Sequence, residues 1–392
     1  VFDWVFPRCV RFGLGALSGL PELVHGAGRR ALIVTGRSPQ RAARVAEILD
    51  TCGVQFIVHN VESEPSIEDV EQALSRARQA EVQFVVAIGG GSVLDVGKAV
   101  AGLLTNGGVL LDYLEVVGEG KPLVRPAAPF IAIPTTAGTG SEATRNAVLD
   151  VPTKRIKVSM RSVHLVPAAV ILDPELTLTL PHQQTLASGL DALTQLLEAF
   201  VCRRANPLTD AVCREGLRRG FCALPRVVST PHDLHARSDM LLAAFFSGIA
   251  LANAGLGAAH GFAGPLGGLL KAPHGVLCAA LIPAVVATNI AALRQRKPTS
   301  EALRRYAEAA TLLTGNPDAE PEMLAQWLAQ FVSKLQVPSL SQLGLREELI
   351  PDAIAKACRA SSMKANPIEL TNSELEHILK AAMNGGDVEE KV

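Results

Sequence analysis

The chain has 392 residues, and 37 Lys+Arg against 38 Asp+Glu leave a net charge of −1. It is longer than the roughly 250–300 residues at which a single core usually divides, so two domains are expected. Without a basic surplus it lacks the electrostatic footprint that nucleic acid or an anionic membrane selects, so neither is expected as a partner.

Seven cysteines, Cys9, Cys52, Cys202, Cys213, Cys222, Cys278 and Cys358, occur without a CxxC pair and in an odd total. That is the usage of a reducing compartment, where buried thiols serve as small apolar groups, so a cytoplasmic location is expected. The opening VFDWVFPRCVRF has no basic region followed by an apolar run and a small-residue cleavage site, and no secretory signal is expected. Two stretches, Met240 to Leu270 and Gly275 to Leu293, carry no charged residue and reach the length of a membrane span. The first is rich in Gly and Ala with Asn253 and His260 inside it, the second contains Pro283 and Asn289, and neither has an aromatic belt. Both read as helices from the centre of a large domain.

In chain order, Arg30 to Thr35 is a short β-branched run ending at Gly36, followed by a helical pattern from Gln40 to Asp50. A second unit pairs Gln55 to His59 with a helix over Ser66 to Ala80, whose opening SIED resembles a capping box. A third pairs Phe84 to Ile88 with a helix from Val93 to Leu104, joined through Gly89, Gly90, Gly91 and Ser92. Further strands are predicted at Pro129 to Ile133 and Ala169 to Leu172. Alternating strands and helices imply a parallel sheet covered on both faces. Beyond residue 178 no strand is evident, and patterns such as Leu208 to Leu224 and Glu301 to Leu313 are helical. The expected division is therefore an α/β domain over 1–178 and an all-α domain over 179–392, whose last residues, DVEEKV, are expected to fray.

Chemistry gathers at the strand ends and in the helical half. A strand, then GGGS, then a helix is the arrangement in which backbone N–H groups and the helix dipole bind phosphate. Asp95 and Lys98 extend that turn, and a second hydroxyl-rich turn, Pro134 to Thr144, follows the next strand. Two such turns suggest a dinucleotide. In the helical half, His260 and His274 lie in nearly charge-free sequence, and each alone reads as a core histidine satisfied by hydrogen bonds. Asp191, in SGLDALTQLLEAF with Gln195 one turn later, supplies a third metal-type residue. Two histidines and a carboxylate form the protein ligand set of a catalytic metal site with an open position.

GGGSVLDVGKA, PTTAGTGSEAT, GLDALTQLLEAF, AAHGFAGPLGG and APHGVLCAALIP, in this order, resemble the iron-containing (group III) alcohol dehydrogenase family from about Phe6 to Pro367. The resemblance implies an N-terminal dinucleotide-binding domain and a helical metal-binding domain, with a small alcohol or aldehyde as substrate. It implies a homodimer or larger homo-oligomer. Asp191, His260 and His274 fall on the family's metal-ligand positions, for iron or zinc, and are the catalytic candidates. Gln195 stands where a histidine ligand is usual, its amide oxygen being a substitute donor. Gly264 stands where a pocket histidine is usual, and an apolar pocket is expected around Phe262.

The family's cofactor positions fall on Gly89, Gly90, Gly91, Ser92, Asp95, Thr135, Thr136, Thr144, Asn146 and Lys157. Where NAD-preferring relatives carry an acidic residue the chain has Gly36, followed by Arg37 and Ser38, which suits the 2′-phosphate of NADP(H) over NAD(H). Three alternatives stay open: a metal-independent reductase similar to maleylacetate reductase, a lyase similar to dehydroquinate synthase, and an inactive cofactor-binding protein.

Overall fold

The computed structural model describes residues 1–62, 64–151 and 156–385; the expected fraying of DVEEKV lies outside them. Two compact units divide at Leu180 and Pro181, residues 1 and 2 belonging with the second.

Among the described residues the first unit contains eight strands: β1 (Cys9–Phe12), β2 (Arg30–Thr35), β3 (Gln55–Asn60), β4 (Phe84–Gly89), β5 (Phe130–Pro134), β6 (Asn146–Val151), β7 (Ile156–Arg161) and β8 (Ala169–Leu172). Six form one parallel sheet in the order β1-β8-β5-β4-β2-β3. Its central strand β4, FVVAIG, is buried at every position, which is why it reads as a continuous apolar run instead of an alternating one. Helices α1 (Pro39–Thr51), α2 (Ile67–Gln79) and α3 (Gly91–Asn106) make the connections. The Ser66 side chain accepts from the Asp69 amide while Asp69 accepts from the Ser66 amide, so the capping box forms as expected.

Leaving β2, the chain moves outward to β3, then returns to place β4 on the other side of β2. Such a reversal opens a crevice beyond the carboxyl ends of the two strands, where open α/β sheets bind ligands. Gly36 and the Gly89–Ser92 turn flank it. Three elements differ from expectation. Helix α3 starts at Gly91, two residues early; β1 adds a four-residue edge strand; and β6 pairs antiparallel with β7 in a separate hairpin. The hairpin has a period-two pattern, with Ala147, Leu149 and Val151 buried on one face, inside a stretch otherwise dominated by turn residues.

In the second unit no strand occurs among the described residues. Its helices are α4 (His182–Val201), α5 (Pro207–Ser229), α6 (Leu234–Asn253), α7 (Ala258–Leu270), α8 (His274–Arg296), α9 (Glu301–Thr314), α10 (Pro321–Lys334), α11 (Ile350–Ala357) and α12 (Asn372–Met383). Helix α8 is long and apolar enough to cross a membrane, but 78% of its apolar window is buried, against α4, α7, α10 and α12. Neighbours on every side account for its uniform apolarity. The other apolar stretch is broken into α6 and α7, which bend by 101°.

Candidate active site

Three helices converge on one polar cluster inside this unit. Helix α4 carries Asp191, Gln195 and Glu198, spaced one turn and then three residues apart so that they share a face. Helix α7 brings His260 from its first turn, and α8 brings His274 and Cys278, again one turn apart. The approach of α8 to α4 depends on Gly275: a Cβ there would lie 1.8 Å from the Ala187 carbonyl oxygen and 3.0 Å from Asp191 Cβ.

One donor atom from each of Asp191, His260, His274 and Cys278 lies within 4.8 Å of all the others. Asp191 Oδ1 is 3.2 Å from His260 Nε2 and 3.8 Å from His274 Nε2. The two imidazole rings are 5.4 Å apart between centroids. Asp191, His260 and Cys278 are buried, whereas the His274 side chain is 47% exposed and gives the cluster an open side.

His260 is oriented by Glu198, whose Oε2 lies 2.6 Å from His260 Nδ1. The same carboxylate accepts the Ala259 amide at 2.7 Å and the His260 amide at 3.4 Å, while Asn366 Oδ1 accepts the Ala258 amide at 3.1 Å. These are first-turn N–H groups of α7 that have no partner within the helix, and a carboxylate there also meets the positive end of the dipole. Glu198 takes Nδ1–H and so fixes the ring, and Nε2–H donates to Asp191. Loss of that proton to a bound cation would free the Nε2 lone pair, the arrangement in which a carboxylate sets the tautomer of a metal-binding histidine.

The titration behaviour describes a centre that attracts positive charge. Burial would raise the Asp191 pKa, but hydrogen bonding from His260 and the charges of both histidines hold it below the ordinary carboxylate value. Burial would raise Cys278 as well, and the charges and hydrogen bonds of His260 and His274 bring it below the ordinary thiol value. His260 is raised well above its usual value, since the Cys278 charge and hydrogen bonds to Asp191, Cys278 and Glu198 outweigh burial, and His274 is raised chiefly by the Cys278 charge. Two anionic donors and two imidazoles around one point fit a divalent cation by charge and by donor type.

Gln195 does not present the amide oxygen expected of a fourth ligand. Its NH2 donates to Asp191 Oδ2 at 3.1 Å and its carbonyl accepts from Ser247 Oγ at 3.0 Å. An ionised carboxylate can only accept, so the amide must face Asp191 with its nitrogen. Gln195 holds the Asp191 carboxylate in place and turns only N–H toward the cluster. Gly264 is exposed, with nothing within 4 Å of where its Cβ would lie. Phe262 is fully buried in the core and does not line an open pocket, correcting that expectation. Glu198 and Cys278 were not among the sequence candidates, although each lies in a quoted motif at helical spacing from one that was.

In the first unit, Gly90 is the N-cap of α3, Gly91 and Ser92 form its first turn, and Gly89 ends β4. A Cβ at Gly91 would sit 2.9 Å from Thr139 Oγ1, so the second turn packs directly on the first. Lys98, fully buried, fixes that second turn by donating to the Thr144 carbonyl and hydroxyl at 3.1 and 2.8 Å and to the Asn146 carbonyl at 2.8 Å. Asp95 accepts from Ser141 Oγ at 2.6 Å. Asp95 and Thr144 are thus occupied in shaping the loop. Thr136 is partly exposed beside Gly90, while Thr135 Oγ1 and Asn146 Oδ1 are buried and lack hydrogen-bond partners.

At the end of β2, Gly36 is followed by exposed Arg37, whose Nε–H donates to the Glu62 carbonyl at 2.6 Å, and by Ser38, whose hydroxyl lies 3.0 Å from Gln40 Oε1. Lys157 is exposed on β7 and ion-paired with Glu64 at 2.9 Å, which puts it at the loop after β3.

A glycine-rich turn at the switch point of a parallel sheet, followed by a helical unit with a buried metal-type cluster, fits a metal-associated dehydrogenase. The sequence profile described as iron-containing alcohol dehydrogenase matches residues 7–174, and that described as Fe-containing alcohol dehydrogenase family, C-terminal, matches residues 185–383. The chain is 34% identical to alcohol dehydrogenase 4 of Saccharomyces cerevisiae (strain YJM789), over 97% of this chain and 98% of that one. It is 31% identical to 1,3-propanediol dehydrogenase of Citrobacter freundii, over 97% and 99%. The structure of sulfoacetaldehyde reductase from Bifidobacterium kashiwanohense in complex with NAD+ superposes with a TM-score of 0.86 at 27% identity, covering 98% of this chain and 99% of that one. The chain belongs to the iron-containing alcohol dehydrogenase family and is an oxidoreductase acting on CH–OH groups.

Proposed function

We propose that the chain interconverts a small alcohol and its aldehyde, with a divalent cation on Asp191, His260 and His274 and with NADP(H) favoured over NAD(H). The observation that carries the reading is the grouping of these three donors with Cys278 within 4.8 Å of one another, where three helices meet. A cation bound there supplies Lewis acidity toward the substrate oxygen, and the nicotinamide carries the hydride. Glu198 fixes the His260 ring and Gln195 the Asp191 carboxylate, while His274 marks the side open to substrate. With no side chain at Gly264, the proton of the hydroxyl group exchanges with water.

The Gly89–Ser92 turn and α3 cradle the pyrophosphate, and Thr135, Thr136 and Asn146 supply polar atoms not consumed in shaping the loop. NADP(H) is favoured by the absence of a carboxylate at Gly36 and by Arg37, anchored beside it on Glu62. Seven free cysteines support a cytoplasmic location. The homodimer or larger assembly implied by the resemblance is measurable by light scattering. The test of function is to strip the protein with a chelator, restore zinc or iron, and follow NADPH and NADH oxidation with a panel of small aldehydes. Undiminished activity in the stripped protein would refute the metal reading, and a lower kcat/KM with NADPH than with NADH would refute the cofactor preference.

A further inference from the structure

The cluster contains one donor that the three-ligand reading leaves without a task. Cys278 is fully buried, and its sulfur faces two imidazoles and a carboxylate in place of the apolar neighbours that surround an ordinary core thiol. It stands one helical turn after His274, so a single stretch of α8 presents both donors to the same point. Gln195, at the position where a fourth donor is missing, keeps its carbonyl on Ser247 and turns only N–H toward the cluster.

We propose that Cys278 is the fourth ligand of the cation, giving an Asp-His-His-Cys site of zinc type. This rests on the metal reading above and sharpens it. Metal–ligand bonds of 2.0–2.3 Å put two donors of a tetrahedral site about 3.3–3.8 Å apart. The Asp191–His260 and Asp191–His274 separations, 3.2 and 3.8 Å, already lie near that range, and the widest pair, within 4.8 Å, has to close by about 1 Å. Binding replaces the thiol proton: the S–H bond breaks, a sulfur–metal bond forms, and the proton leaves to solvent. A soft thiolate selects zinc or cobalt over magnesium, manganese or calcium. With four side chains holding a cation, the exposed side of His274 would be where a substrate oxygen approaches it.

The test uses full-length protein stripped of metal and titrated with Co(II), alongside Cys278→Ser and Cys278→Ala, with circular dichroism to confirm that each variant is folded. The expected result for the unaltered chain is one equivalent of cobalt giving visible ligand-field bands and a near-ultraviolet thiolate-to-cobalt charge-transfer band. In both variants the charge-transfer band disappears, and zinc affinity measured against a chromophoric chelator falls on the order of 100-fold, one quarter of a four-ligand binding energy. Ligand-field bands without the charge-transfer band, together with unchanged zinc affinity in the variants, would overturn the thiolate ligand and leave the site on Asp191, His260 and His274 standing. Absence of stoichiometric cobalt or zinc binding in the unaltered chain would overturn the metal reading, and this proposal with it.

Discussion

Replacing Glu198 by Gln isolates what the carboxylate does for His260. Both oxygens are in use: Oε1 takes the Ala259 amide at 2.7 Å, and Oε2 takes His260 Nδ1 at 2.6 Å and the His260 amide at 3.4 Å. An amide has one acceptor oxygen, so Glu198→Gln must turn its NH2 toward one of these groups. Facing Ala259, it opposes the N–H of that residue at the first turn of α7 and leaves it buried and unpaired. Facing His260, it forces Nδ1 to accept, keeping the ring proton on Nε2 and withholding that lone pair from a cation. Loss of a charge-assisted hydrogen bond at a buried site lowers stability by about 2 kcal/mol, and loss of an outer-shell partner weakens metal binding about 10–100-fold, or about 1.4–2.8 kcal/mol. Urea denaturation gives the first quantity and zinc competition with a chromophoric chelator the second. A folded Glu198→Gln protein with unchanged zinc affinity would refute the assignment of Glu198 as the group that sets the tautomer.

Burial raises the Glu142 pKa to about 7, so between pH 4.5 and about 7 the folded chain holds a proton that the unfolded chain has released. Stability therefore falls as pH rises through that window, by on the order of 3 kcal/mol at most, and Glu142→Gln is expected to remove this part of the decline when melting temperature is followed against pH; an identical profile would refute it. Gly275→Ala places a methyl 1.8 Å from the Ala187 carbonyl oxygen, and relief by shifting α8 lowers stability by about 1–3 kcal/mol and moves His274 and Cys278 off the cluster, read as a lower bound-zinc stoichiometry; full occupancy with unchanged stability would count against the packing. Gly36→Asp has room, since its Cβ would meet only Val93 Cγ2 at 3.7 Å and the Val61 carbonyl oxygen at 3.9 Å. Repulsion of a 2′-phosphate at this partly exposed site is worth about 1–2 kcal/mol, so the NADPH-to-NADH ratio of kcat/KM is expected to drop roughly tenfold, and a ratio that stays put would remove the first strand's end from cofactor selection.

Strands with a continuous apolar run were legible to within a residue, because burial on both faces leaves no other composition: β2 runs from Arg30 to Thr35, and β8 from Ala169 to Leu172, as expected. The hairpin β6–β7 escaped because its short alternating strands sit among Ser, Thr and Asp, where local turn chemistry and strand pattern compete. Helix α3 began early because glycines at 89–91 read as a turn to the end, whereas Gly91 already carries helical hydrogen bonding and is small for the sake of Thr139. His260 and His274 stood out because polar groups in apolar sequence need partners. Cys278 did not, since a thiol in such a run is indistinguishable from a core residue until the position of its sulfur is known.

The polar groups of the helical unit also explain how Gln195 is accommodated without loss of the fold. Glu198, His260, Asp191, Gln195 and Ser247 form a continuous buried line in which each member is hydrogen-bonded to the next. A histidine at 195 would compete for Asp191 through a ring nitrogen, whereas glutamine satisfies Asp191 with its nitrogen and Ser247 with its oxygen and demands no metal to be stable. Such a line tolerates exchange only where the newcomer fills every donor and acceptor it replaces, because a single unpaired buried group costs about 1–3 kcal/mol. Gln195 meets that condition within the protein alone. On α8, Cys278 reaches the same cluster from the turn after His274. The spacing of one helical turn lets each of the two helices present two groups to the cluster, Asp191 and Gln195 from α4, His274 and Cys278 from α8, while the backbone stays where packing puts it.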